Sequence, residues 1–275
     1  MGGRRAHDGG AVLTHLGGPT VLVEVHGWRF LTDPTFDPPG RYAFGWGTGS
    51  RKRSGPALTP GEVGAVDAVL LSHDHHADNL DDLGRAFLER TQVVVTTGPG
   101  ARRLRRAGTG PVVGLAPGDS VLLRAPGRPP VRVTATPCRH GPRFSRPFAG
   151  AVVGFALAWD TQRHGVLWIT GDTVLHPALE RVARELVVDT VVLHAGAVRF
   201  PVTGPLRWTM DAGEAVRLCA LARPRAVVPV HVEGWSHFTE GPEALDRAFA
   251  AAPGDLAARL RWPPAPGAPW RTMEP

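Results

Sequence analysis

Short apolar runs bounded by Gly, Pro, Asp or His recur along most of the chain. Each run is built from Val, Leu, Ile, Phe or Trp and spans four to eight residues, which is typical of buried β-strands. The pattern predicts strands over these segments: Thr20–His26, Arg29–Thr32, Ala68–Leu71, Gln92–Thr96, Val131–Thr136, Val152–Trp159, Val166–Thr170, Thr190–Leu193 and Ala226–Val230.

Helical periodicity is found mainly after residue 78. Leu80, Leu83 and Phe87 are spaced to share one buried face of a helix. Asp211 precedes Glu214 by three positions, which resembles a capping box at the start of another helix. Further helices are expected over 102–106, 177–186, 211–222 and Pro242–Ala252.

The order of these elements indicates the fold class. Strands dominate the first part of the chain, and helices and strands alternate later with short connections. The early hairpins argue against a doubly wound parallel sheet, so we predict an α+β fold of two sheets covered by helices. We expect one domain over residues 1–275, with a short N-terminal extension and a Pro-rich C-terminal tail from Trp262.

Composition excludes several classes of protein. The chain contains 34 Gly and 27 Pro, but 43% of its residues are hydrophobic, which is too many for a disordered chain. Its two cysteines, Cys138 and Cys219, exclude a disulfide framework or a Cys-rich zinc module. The start is polar and no run of about 18 apolar residues occurs, so we expect a soluble, cytoplasmic protein without a transmembrane segment.

The formal net charge is +6, and almost all of the basic charge is arginine because Lys52 is the only lysine. The dense clusters are 51–53 and 102–106. The second cluster is not interleaved with aromatic residues, so we interpret it as a solvated helix face, with a phosphate-rich partner as the alternative. A nucleic acid is therefore not the expected partner, and we expect a small-molecule substrate.

Histidines and aspartates cluster directly after the strand Ala68–Leu71. His73 and His75 are two residues apart, so in extended backbone their side chains point to the same side. Two imidazoles placed in this way form half of a typical zinc shell. Asp78 and Asn79 follow just before the predicted helix, where one of them could instead be its N-cap.

Four more strand candidates are followed by polar residues that a metal could use. These polar residues are His140, Asp172, His194 and His231. His194 is the least specific of the four and could equally be structural. Together these nitrogen and oxygen donors, with no thiolate among them, suit zinc, manganese or iron, and a carboxylate among imidazoles permits a second ion.

The order His-x-His, Asp, His, Asp, His along the chain resembles that of the metallo-β-lactamase superfamily. The signature there is His-x-His-x-Asp-His, then a lone His, a bridging Asp and a final His. The segments 14–17, 21–24 and 31–34, with 209–211 and 228–231, are similar to the branch of L-ascorbate-6-phosphate lactonase-like and N-acyl-phosphatidylethanolamine phospholipase D-like hydrolases. The resemblance spans roughly residues 12–235 and implies a four-layer αββα sandwich of two mixed sheets flanked by helices.

This resemblance also implies a set of ligands. Metal one would be held by His73, His75 and His140, and metal two by Asp78, Asp172 and His231, with Asp172 bridging the two. One departure from the signature is important. An extra residue after His75 places Asp78 at the aspartate of the signature and Asn79 where the second-site histidine is expected. Without that insertion, Ala77 would replace the aspartate and Asp78 the histidine. Either way one donor of the second site is altered, so the second ion could be weakly held or absent.

Two other histidines could contribute to the site. His76 could replace the missing imidazole, although a solvent-facing role is the simpler interpretation. His237 could reach the site from a loop, or could be an ordinary loop histidine.

The leading hypothesis is a metal-dependent hydrolase, with one or two zinc ions or with manganese or iron. A metal-activated water would attack a small ester, lactone or phosphoester, with Asp78 as the catalytic acid–base group. The alternatives are a binding protein with a degenerate metal site and, less favoured, a nuclease. The oligomeric state is left open by the sequence.

The walls of the substrate pocket are expected to come from the segments 36–56, 142–150 and 199–208. Aromatic side chains there would give an apolar cleft, and arginines would favour an anionic group. These residues are Phe36, Tyr42, Phe44, Trp46, Phe144, Phe148, Phe200 and Trp208, with Arg143, Arg146 and Arg199.

Overall fold

The computed structural model describes residues 10–45 and 47–271. Most of the predicted N-terminal extension lies outside these residues. No helix within the described ranges combines the length and the apolar character that a membrane span requires.

The strands of the described chain follow the apolar runs closely. They are β1 (Val12–Gly17), β2 (Thr20–Val25), β3 (Trp28–Thr32), β4 (Gly40–Gly45), β5 (Thr48–Lys52), β6 (Ala68–Leu70), β7 (Val93–Thr97), β8 (Val112–Leu115), β9 (Ser120–Ala125), β10 (Arg128–Pro137), β11 (Val153–Ala158), β12 (Val166–Ile169), β13 (Val188–His194), β14 (Ala226–Val230) and β15 (Pro269–Arg271). All nine strands predicted from apolar runs are present, with ends that differ by a few residues.

The helices are α1 (Pro60–Val63), α2 (Asp82–Leu88), α3 (Gly98–Arg106), α4 (Arg146–Ala149), α5 (Pro177–Glu185), α6 (Ala212–Ala222) and α7 (Pro242–Ala250). The prediction for Leu83 is wrong, because its side chain is 45% exposed. Helix α2 begins only at Asp82, so Leu80 precedes it and the expected face is shifted. At α6, Asp211 accepts a hydrogen bond from Glu214 N, but the Glu214 carboxylate pairs with Arg207 instead of closing a capping box.

The strands form two mixed sheets and a separate ribbon. The first sheet has the order β15-β1-β2-β3-β6-β7-β8, and the second has the order β14-β13-β12-β11-β10-β9. Strands β3, β6, β7 and β8 are parallel in the first sheet, as are β12, β13 and β14 in the second. Strands β4 and β5 form a separate two-stranded sheet, and Lys52 of β5 also makes an isolated β-bridge with Trp235.

Three apolar clusters separate four layers. The central cluster joins the facing sides of the two sheets and includes Phe30 and Phe155. A second cluster packs α5, α6 and α7 on the second sheet, and a third packs α2 and α3 on the first. This arrangement confirms the predicted α+β sandwich of two mixed sheets flanked by helices. Within the Pro-rich end that was predicted as a tail, β15 adds an edge strand to β1.

Asp81 joins three segments at the start of α2. Its carboxylate is fully buried and accepts hydrogen bonds from Gly84 N at 2.8 Å, Phe36 N at 2.9 Å and Asp37 N at 2.7 Å. The buried ammonium group of Lys52, at the end of β5, lies 3.1 Å from the same carboxylate. Asp81 is therefore the N-cap of α2, and the N-cap interpretation of Asp78 or Asn79 is wrong.

Asp81→Ala should lower the free energy of unfolding by about 3–5 kcal/mol, because it leaves the Lys52 charge buried without its partner. Asp81→Asn keeps one acceptor oxygen and should have a smaller effect. The matched control is Asp82→Ala, which changes an exposed residue and should alter stability by less than about 0.5 kcal/mol. Urea unfolding measures all three, and a loss below about 1 kcal/mol for Asp81→Ala would contradict the role of this ion pair.

Candidate metal centre

The polar residues singled out in the sequence meet at one edge of the sandwich. Strands β6, β10, β12, β13 and β14 all end there, and each has a histidine or an aspartate at its last residue or within three residues after it. Rigid strands position these side chains, while the loops that carry them are short. The topology thus brings residues that are distant along the chain into one buried cluster.

Four imidazoles form one half of the cluster. The ring centroid of His73 lies 4.8 Å from that of His75, 4.9 Å from that of His76 and 5.4 Å from that of His140. His73 Nε2 and His76 Nδ1 are 3.0 Å apart. His76 therefore lies beside the other imidazoles of the cluster, and its half-buried side chain also faces the cavity described below.

Neighbouring groups set the orientation of these rings. His140 Nδ1 donates to the carbonyl oxygen of Trp208 at 2.8 Å, and His75 Nε2 donates to that of Ala149 at 2.6 Å. The second nitrogen of each ring then carries a lone pair, which is how backbone carbonyls orient histidine ligands in metal sites. His75 Nδ1 is buried and makes no hydrogen bond among the described residues.

The other half of the cluster contains carboxylates that lack ordinary partners. Asp172 is fully buried, and neither of its oxygens makes a hydrogen bond within the described chain. Asp78 Oδ2 lies 3.4 Å from His231 Nε2, and Asp172 Oδ1 lies 3.5 Å from His231 Nδ1. His231 has a left-handed backbone, with φ of 59°, and its N–H donates to the carbonyl oxygen of Gly18 at 2.9 Å.

Burying unpaired ionised groups is costly unless they are neutralised or coordinate a metal. The donor atoms form sets that lie within 4.8 Å of one another, namely His73 with His75 and His76, His73 with His140 and Asp172, and Asp78 with His231 and His237. The orphaned oxygens and nitrogens of these sets are the donors that a divalent cation requires. The residues present therefore fit one or two metal ions.

Burial determines the protonation of the cluster. Burial raises the pKa of Asp172 well above its usual value, and the charges of Asp78 and Asp33 raise it further. Burial opposes ionisation of Asp78 as well, but the imidazoles of His231 and His237 outweigh it and hold the pKa well below its usual value. Burial lowers the pKa of His140 to about 4, so its ring is neutral at pH 7, as metal ligation requires.

A second layer of polar groups lies beside the cluster. Asp33 Oδ1 accepts from Ser72 N at 2.7 Å, and its Oδ2 lies 3.7 Å from His194 Nε2. His194 is fully buried, and its ring centroid is 5.9 Å from that of His231. The sequence analysis did not name Asp33 as a candidate site residue. Its position directly after β3 could have identified it, because the other candidates were found as polar residues that follow strands.

A cavity of about 580 Å³ opens onto the cluster. His76, Asp78 and His140 are exposed to it, and most of its wall is apolar. The predicted residues Phe44, Phe144, Phe148, Phe200, Trp208 and Arg143 line it.

Other residues that were predicted for the wall lie elsewhere. Phe36 packs against Phe87 in the core, and Tyr42 packs against Trp235. Arg146 lines a neighbouring cavity. Arg199 is only partly exposed, and its Nε makes no hydrogen bond among the described residues. Trp46 lies outside the described residues.

Comparison with known proteins gives consistent matches. A family model described as the beta-lactamase superfamily domain matches residues 28–232. A UPF0173 metal-dependent hydrolase from Caldivirga maquilingensis is 26% identical over 255 residues, covering 89% of this chain and 96% of that protein.

Solved structures resemble the fold. The isothiocyanate hydrolase from Delia radicum gut bacteria has a TM-score of 0.79 at 19% identity, covering 94% of this chain and 98% of that one. The metallo hydrolase Igni18 from Ignicoccus hospitalis has a TM-score of 0.71 at 21% identity, covering 95% and 97% of the two chains.

Gly150 should be essential for the position of His75. A Cβ atom at residue 150 would lie 2.5 Å from His75 Cε1, so Gly150→Ala must displace the ring. We expect metal affinity to fall about 10–100-fold, as it does when the groups that orient a ligand are lost. Competition with a chromophoric chelator measures this affinity.

Gly254→Ala is the matched control, because that glycine also has a positive φ, of 77°, but a Cβ there meets nothing within 4 Å. It carries similar backbone strain without touching the cluster. Equal metal affinities for the two variants would show that His75 does not depend on this contact.

Proposed function

The chain belongs to the metallo-β-lactamase superfamily, and we propose that it is a metal-dependent hydrolase of a small ester, lactone or phosphoester. Membership confirms the family resemblance read from the sequence, while the branch within the superfamily stays a prediction. The observation that carries the proposal is the fully buried Asp172, whose oxygens have no hydrogen-bond partner among the described residues and face imidazoles.

We assign the ligands as the sequence predicts them. His73, His75 and His140 would hold metal one, and Asp78, Asp172 and His231 would hold metal two, with Asp172 between them. Zinc is the proposed ion because the donors are imidazoles and carboxylates, and manganese or iron would accept the same set.

A divalent cation in this site would supply Lewis acidity, which polarises the scissile bond and makes water acidic near neutral pH. Asp78 borders the cavity, and its Oδ1 makes no hydrogen bond among the described residues. That oxygen can accept a proton from the attacking water and deliver it to the leaving group.

Side-chain nucleophiles are not supported. Burial raises the pKa of the Cys138 thiol well above its usual value, and Cys138 Sγ donates to the carbonyl oxygen of Thr170. Ser72 Oγ is 2.9 Å from His73 Nδ1, where it orients a proposed ligand, and Ser72 does not line the cavity. Water is therefore the proposed nucleophile.

The cavity wall indicates the substrate class. Phe144, Phe148, Val202 and Leu206 line the cavity with side chains that are 78%, 55%, 65% and 43% exposed. Exposed apolar side chains concentrated around a concave site are typical of ligand binding. We therefore propose a substrate that carries an apolar or aromatic group beside its scissile bond.

The charge distribution does not favour a nuclease. Lys52, in the middle of the first basic cluster, is buried and paired with Asp81. Arg103, in the second cluster, is paired with the buried carboxylate of Asp74. Neither cluster presents an unbroken row of free cations of the kind that binds a phosphate backbone.

The proposed reaction is tested by assaying aryl esters, aromatic lactones and aryl phosphodiesters with the protein loaded with zinc or manganese. We expect hydrolysis of at least one class, a loss of at least about 100-fold in kcat/KM after chelation, and recovery when the ion is returned. Asp172→Asn should be inactive, whereas His164→Ala, a change at an exposed histidine, should retain full activity. Full activity of chelated protein, or no hydrolysis of any class, would overturn the proposal.

The apolar wall should determine substrate preference. The double variant Phe144→Ala/Phe148→Ala should lower kcat/KM for an aromatic substrate about tenfold or more, mainly through KM, because up to about 1.5–3 kcal/mol of burial per ring is lost. A matched acetyl substrate should be little affected. Val187→Ala removes a 71% exposed side chain that does not line this cavity and serves as the control. Equal losses for both substrates would contradict this use of the wall.

A further inference from the structure

Residue 79 departs from the superfamily signature at a position that is expected to bind the second metal ion. Asn79 stands where a second-site histidine is expected, and an amide offers no basic nitrogen to a metal. Its side chain is fully buried, and its Nδ2 donates to Asp33 Oδ2 at 3.4 Å and to Ser72 Oγ at 3.5 Å. The amide nitrogen of Asn79 therefore contacts groups beside the cluster, while its Oδ1 makes no hydrogen bond among the described residues.

A different histidine lies next to the second-site aspartate. His237 Nε2 is 3.2 Å from Asp78 Oδ2, and the same oxygen is 3.4 Å from His231 Nε2. The side chain of His237 is 1% exposed, yet neither ring nitrogen makes a hydrogen bond among the described residues. Buried imidazoles normally satisfy at least one nitrogen, so this ring is placed for a partner other than the surrounding protein.

The loop that carries His237 is fixed on both sides. Ser236 N donates to the carbonyl oxygen of Arg51 at 2.9 Å, and Arg199 N donates to that of His237 at 3.1 Å. Trp235 stacks on the imidazole with ring centroids 5.7 Å apart and planes inclined by 22°. These contacts hold the ring beside Asp78 without using either of its nitrogens.

We propose that His237 replaces the missing signature histidine as a ligand of the second metal ion, together with Asp78, Asp172 and His231. The site is then a complete two-metal centre rather than a degenerate one. This inference rests on the proposed metal-dependent function, because it requires that Asp78, Asp172 and His231 hold a cation. It also couples the second ion to the cavity wall, since the ring of Phe44 lies 5.6 Å from that of His237.

Metal stoichiometry tests the inference without an activity assay. Full-length protein is loaded with zinc, passed through a desalting column and analysed by inductively coupled plasma mass spectrometry. We expect two ions per chain in the wild type and in His164→Ala, and one ion per chain in His237→Ala. The affinity of the second site should fall by more than about 100-fold, since even the groups that only orient ligands contribute 10–100-fold.

His237→Cys gives a direct spectroscopic test. A thiolate at residue 237 that binds cobalt(II) produces a sulfur-to-cobalt charge-transfer band in the near ultraviolet. We expect the band in this variant and not in the wild type, whose Cys138 and Cys219 provide the internal control. Circular dichroism of each variant verifies that the fold is retained.

The outcomes separate this inference from the proposed function. Two ions in the wild type, with an unchanged second ion in His237→Ala and no charge-transfer band in His237→Cys, would overturn the role of His237 alone. One ion in both the wild type and His237→Ala would also overturn it. A wild type that binds no metal would overturn the proposed function together with the inference.

Discussion

The structure depends on buried carboxylates held at one edge of a water-excluding sandwich. Asp78 and Asp172 lie where the strands of the second sheet face the loop after β6, and arginine and lysine side chains do not pair with them in the described chain. The neighbours that could carry the opposite charge are the imidazoles of His231 and His237, and burial lowers the pKa of His231. Such an arrangement is stable only if the carboxylates are protonated or a cation balances their charge, and a cation at this place is also what the proposed chemistry requires.

Each layer of the fold contributes to that requirement. The central apolar cluster joins the sheets so that ends of strands from both meet, and short loops leave the donor side chains little freedom. Backbone carbonyls of residues 149 and 208 orient His75 and His140, and both carbonyls belong to segments that also line the cavity. Ligand geometry and substrate pocket are therefore built from the same loops, and a change in the pocket wall can reach the metal centre.

The sequence was sufficient for the elements with continuous apolar runs, because burial on both faces leaves an unambiguous pattern. It missed β8, β9 and β15, which lie at sheet edges and are partly exposed, and the β4–β5 ribbon, which is rich in Gly and polar residues. The apolar runs also did not predict β1, because Thr14 and His15 interrupt its apolar sequence. At the site, the search for polar residues just after predicted strands identified residues such as His140 and His231, which the structure brings together. It could not place His76 or His237, because loop conformation and the contacts of residue 235 with the β4–β5 ribbon decide where those rings lie.

The most direct test of the central claim is a crystal structure of the zinc-loaded protein with anomalous data collected on both sides of the zinc absorption edge. We predict one anomalous peak among His73, His75 and His140, and a second among Asp78, Asp172 and His231. An ordered site with no anomalous peak among these residues, with Asp172 instead hydrogen-bonded to protein or water, would contradict it.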